Sequence, residues 1–138
     1  MRKIDESVPE LPFVVVVVCV LILGVLLQLT GLWVMMLLAG GIGALFCRSL
    51  KRAFAAGFLG VGMAWAILFA YLILTAQALA IADFFITLLG LSGLGWLVIV
   101  ISIIIGALLG GFGAALVRAL VELVDEMIDG RMNTEHSA

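Results

Sequence analysis

The chain has 138 residues, of which 66% are hydrophobic and 12% charged, with a net charge of −2. A soluble domain is about half apolar and about a quarter charged, and a small one cannot bury this much apolar surface. Composition therefore excludes a water-soluble globular fold and makes the lipid bilayer the expected solvent; the slightly acidic balance also offers no footprint for nucleic acid.

Residues 1–12 read as a polar tail. From Phe13 to Cys47 there is no charged residue, and from Ala53 to Val117 there is only Asp83. A helix needs about 20 apolar residues to cross a bilayer. The first span is expected over about 13–29. Pro12 suits the first turn of a helix. The valine run at 14–18 would suggest a strand in water, but in lipid the backbone must satisfy its own hydrogen bonds, which favours helix. The apolar run is at the long end for a signal peptide and no A-x-A-like site follows it, so it reads as a retained span.

Leu29-Thr30-Gly31 predicts a tight turn, followed by a second span over about 32–47. Residues 48–52 form a short basic loop, and a third span runs over about 53–77. The last span covers about 96–117. The stretch 78–95 is apolar but broken by Asp83, Gly90, Gly93 and Gly95, and is expected to be an outer or re-entrant segment. The alternative is a fifth span over about 74–91, with Asp83 near mid-membrane. Four spans are favoured because an isolated charge at the bilayer centre costs at least ~2.5 kcal/mol. They also place all seven basic residues on one side, which the positive-inside rule makes cytoplasmic. The expected fold is all-α and polytopic, localised as a multi-pass membrane protein with both termini cytoplasmic. Trp33 and Trp96 then fall at the outer interface, and Trp65, midway along the third span, needs a partner for its indole N–H.

Two segment pairs resemble each other: 26–33 with 88–96, and 43–50 with 113–120, at offsets of 62 and 70 residues. This suggests two repeated hairpins.

Inside lipid, helices associate through close packing, which small residues permit. The last span carries Gly106, Gly110 and Ala114 at four-residue spacing, with Gly111 on a neighbouring ridge. Gly57 and Gly60 in the third span, and Gly40 and Gly43 in the second, make similar faces. These are the expected helix-packing residues. Because the last span is small on more than one face, self-association or contact with other membrane subunits is expected there.

Residues 118–138 read as an acidic amphipathic extension of the last helix. Val117, Leu120, Val121, Val124, Met127 and Ile128 recur at helical spacing, and Arg118 with Glu122 makes a favourable i,i+4 pair. Gly130 is the expected stop. The apolar stripe either folds back near residues 48–52 or docks a cytoplasmic partner.

No nucleophile–base pair, metal-ligand cluster or phosphate loop is visible, so no catalytic, cofactor or metal site is expected and the chain does not read as an enzyme. Cys19 and Cys47 read as small apolar residues. Asp83 is expected to cap a helix beginning at Phe84. A tentative outer polar site gathers Gln28, Thr75, Gln77 and Asp83. The leading functional expectation is a structural or accessory subunit of a homo-oligomeric or larger membrane complex. The alternative is a small oligomeric channel or transporter.

Overall fold

The computed structural model describes residues 4–32 and 34–136, without the side chains of 5, 6 and 132–136. Among the described residues there is no strand. The elements are α1 (Ile4–Ser7), α2 (Phe13–Gln28), α3 (Met35–Ala44), α4 (Leu50–Ala76), α5 (Ala78–Leu88) and α6 (Gly95–His136).

Two of these helices, α4 and α6 over Gly95–Arg131, are long and apolar enough to cross a membrane. The helices α2, α3 and α5 are apolar but shorter, at 16, 10 and 11 residues. The second expected span is thus α-helical over only part of its length. Its ends tighten into i→i+3 turns: Met35 N donates to Leu32 O, and the amides of Leu45, Phe46 and Cys47 donate to the carbonyls of Ile42, Gly43 and Ala44.

Local chemistry sets the boundaries. Pro12 precedes α2, and Gly31, with φ +73°, turns the chain after it. The Ser49 side chain accepts from Arg52 N and caps α4. Gln77, in the left-handed region at φ 51°, breaks α4 from α5. Gly93, the counterpart of Gly31 in the sequence similarity, also has a positive φ. The helices that follow the two glycines differ in length, 10 residues against 42. Gly130 does not end α6, which runs through it to His136. One interior glycine costs a helix only about 1 kcal/mol, too little to stop a long one.

The helices α3 and α4 form the central pair. Among the described residues α2 packs against both on one side, and α6 packs against both on the other, with no close backbone approach between α2 and α6. The seams are made by small residues. Gly40 of α3 lies on the backbone of Gly110 in α6, and Gly57 of α4 meets Gly110 and Ala114. Val20 of α2 is fully buried, with one methyl over Gly43 and the other over Gly60. It acts as a single knob filling the groove between α3 and α4. Gly106 lies under the Trp65 ring and Gly111 under Phe54. Gly113, outside the four-residue ridges of the sequence, abuts the backbone of Leu37.

At one end of this bundle the N-terminal segment gathers three parts of the chain. Glu10 reaches Arg48 at 3.7 Å and Arg52 at 3.4 Å, and Leu11 N donates to Phe46 O. Ile4 N donates to Asp125 Oδ1 at 2.9 Å, tying α1 to α6. At the other end α5 lies against the start of α6.

Candidate functional site

The residues expected to form an outer polar site differ in their hydrogen-bond partners. Thr75 Oγ1 donates to Tyr71 O one turn back along its own helix. Gln77 is exposed at the α4–α5 break. Asp83 lies inside α5 rather than at its start, and its Oδ1 accepts from Gly95 N at 2.6 Å. It therefore caps α6, not a helix beginning at Phe84. The first amides of α6 have no intrahelical acceptor, and a carboxylate there is favoured by the helix dipole as well as by the hydrogen bond. The chain from 89 to 94 loops back far enough to bring Gly95 to Asp83, which residue spacing alone does not reveal.

Gln28, at the C-terminal end of α2, is the member with an unanswered group. Its side-chain oxygen is buried and has no hydrogen-bond partner. The residue, though not this oxygen, forms part of the wall of two cavities. One, of about 370 Å³, lies between α2 and α4 and is lined by Val25, Leu29, Ala64, Ile67, Leu68 and Tyr71 besides Gln28. The other, of about 170 Å³, is lined by Gln28, Gly31, Leu32, Met36 and Trp65. The Trp65 indole N–H donates to Met36 Sδ at 2.8 Å, a weak acceptor but a partner. Gln28 was legible as a polar residue near a span end; its orphaned oxygen depends on packing between three helices and left no trace in the sequence.

A second feature is the C-terminal part of α6, from Leu116 onward. Arg118 is buried and pairs with Glu122 through Nε–Oε1 at 3.0 Å, the i,i+4 contact read from the sequence. Val121 is also buried, and α1 covers the Asp125 side. On the opposite side Leu116, Leu120, Leu123 and Met127 are all more than half exposed. At 100° per residue they continue one stripe begun by Phe112. Glu122 and Glu126 lie along one edge of it.

No group of three or more metal-ligating side chains occurs among the described residues. Comparisons with protein-family profiles, with curated proteins and with solved structures find no match to this chain.

Proposed function

We propose that the chain is a four-span integral membrane protein without reaction chemistry of its own, a structural or accessory subunit whose partner docks on the extension of α6. Four crossings, by α2, the 32–47 segment, α4 and α6, return the chain to its starting side. The contacts of Glu10 with Arg48 and Arg52, and of Ile4 with Asp125, fit that arrangement. The segment 32–47 is hydrogen-bonded through its tight end turns, and at 1.5–2.0 Å per residue it covers about 24–32 Å, close to the ~30 Å hydrocarbon core. The basic residues of the 48–52 loop then mark the cytoplasmic face.

The single observation that carries the partner reading is the exposed stripe of Leu120, Leu123 and Met127. With 42 residues, α6 is about 63 Å long, roughly twice the hydrocarbon thickness. Ala115 lines a common cavity with Leu50 and Lys51, level with the basic loop. The stripe therefore continues past the point where lipid covers it. A row of large apolar side chains in water is a docking surface more often than a resting state. The glycine faces of α6 are filled from within the chain by Gly40, Phe54, Gly57, Val61 and Trp65, so the contact with a partner falls here instead.

Charge selects the occupant. From Arg118 onward the sequence carries two arginines against five carboxylates, and along one edge of the stripe lie Glu122, already paired with Arg118, and Glu126. The partner is a helix with apolar side chains flanked by Lys or Arg, joined as in helix-in-groove and zipper contacts.

The test is the mass of the protein extracted from its own membranes in mild detergent. Wild type should run in an assembly with a different polypeptide, and Leu123→Glu with Met127→Glu should release the 14.6 kDa chain while leaving its helicity unchanged. A lone wild-type chain, both in detergent and after cross-linking in the membrane, overturns the subunit reading. An integral multiple of the chain mass makes the occupant a second copy and overturns the basic partner.

A further inference from the structure

We propose that the groove between α4 and α6, at the end of the bundle that carries the basic loop, binds an anionic phospholipid, with the headgroup phosphate on Lys51 Nζ and one acyl chain lying along Phe54 and Phe58.

Lys51 is the cation of the loop left without a carboxylate. Glu10 reaches Arg48 at 3.7 Å and Arg52 at 3.4 Å, and Arg118 pairs with Glu122 at 3.0 Å. Among the described residues Lys51 has no such partner, and it is exposed. Three cations of the loop, Arg48, Lys51 and Arg52, therefore meet one carboxylate, and a positive excess stays at this place. The nearest carboxylate along α6 is Glu122, about 10 Å beyond Ala115 and already paired.

Beside the lysine lies apolar space. With Leu50, Phe54 and Ala115 it lines a cavity of about 300 Å³. Phe54 stacks on Phe58 at 6.1 Å and meets Phe112 edge-on at 5.7 Å. Phe58 in turn lines a second cavity along the same seam, of about 250 Å³, with Gly62, Met63, Ile104 and Ala107. Leu50, Leu59, Met63, Ile104 and Phe112 are exposed along the seam, so lipid reaches it from the side. From Lys51 to Gly62 the helix rises about 16 Å, half of the ~30 Å hydrocarbon core and so the depth of one leaflet. An unpaired cation at the head of an apolar groove one leaflet deep has the layout of a phospholipid.

Charge decides among occupants. A neutral sterol or alcohol leaves the lysine unanswered, and a free anion leaves the groove empty. A zwitterionic phospholipid brings another cation to a loop that is already positive. An anionic phospholipid answers both the charge and the groove. The site does not depend on the partner proposed for α6. The four-crossing reading adds only that the lipid comes from the cytoplasmic leaflet, where anionic lipids gather.

The probes are dioleoylphosphatidylglycerol and dioleoylphosphatidylcholine, which carry the same chains. Each is titrated onto the full chain in mild detergent, and the lipid retained is read by native mass spectrometry. Wild type should hold one phosphatidylglycerol at about one fifth of the concentration that phosphatidylcholine requires, or less, the ratio expected for one lysine near an anionic headgroup. Lys51→Gln should raise the phosphatidylglycerol concentration about fivefold and leave that of phosphatidylcholine within about twofold. Lys51→Arg should keep the preference, and Arg131→Gln, which removes a cation near the end of α6, should not change it. Ala115→Phe, which fills the groove and keeps the lysine, should weaken both lipids; Ala115→Met serves if the phenylalanine variant loses helicity. Equal retention of the two lipids by wild type, or a preference that survives Lys51→Gln, overturns the headgroup contact. Phosphatidylglycerol binding untouched by a folded Ala115 variant puts the anion on an open surface and overturns the groove.

Discussion

At Gly40 and Gly110 the absence of a side chain is a packing requirement. A methyl group at Gly40 would come within 3.0 Å of the Gly110 backbone, and one at Gly110 would meet the Gly57 carbonyl and Val61. Backbone cannot move aside as the end of a flexible side chain can. Gly40→Ala or Gly110→Ala should therefore destabilise the bundle by about 1–3 kcal/mol, the usual range for overpacking. Gly130 gives the opposite sign, because it is helical and a methyl there meets nothing within 4 Å. Gly130→Ala should strengthen α6 by up to about 1 kcal/mol. Reversible unfolding in mixed detergent reads both changes; equal effects at the two kinds of site would contradict the packing described. The small residues at four-residue spacing are visible in the sequence, and the close approaches at Gly40, Gly57 and Gly110 fall among them. It was not legible at Gln28 or Asp83, whose partners, or lack of them, depend on how distant segments meet.

At the scale of elements, the sequence placed both ends of α2, the end of α4 and the start of α6 to within about a residue, but not the ends of α3 or the far end of α6. A uniformly apolar run has no phase, so nothing in 32–47 signals that its regular helix narrows to Met35–Ala44. The break at Gln77 falls where the sequence ended the third span, at about 77, and its left-handed φ lets α5 fold back along α6. Asp83 then holds the junction by accepting from Gly95 N. Asp83→Ala should lose a cap worth about 0.5–2 kcal/mol, with faster amide hydrogen exchange at the start of α6. Asp83→Asn keeps an acceptor and should recover most of the protection. If alanine and asparagine exchange alike, the cap does not hold that end.

For the whole molecule, two helices are long and apolar enough to span a bilayer, and the remaining apolar helices pack on them around α3 and α4. Four crossings with the N-terminal segment and the α6 extension on one side is the claim from which the partner surface takes its place. Single-cysteine labelling tests it most directly. With Cys19 and Cys47 replaced by alanine, a cysteine is placed in turn at Ser7, Asp83 and Arg131 and treated with a membrane-impermeant reagent on sealed, oriented vesicles. Ser7→Cys and Arg131→Cys should react from the same side, and Asp83→Cys only from the other. Labelling of Ser7→Cys and Arg131→Cys from opposite sides would contradict it.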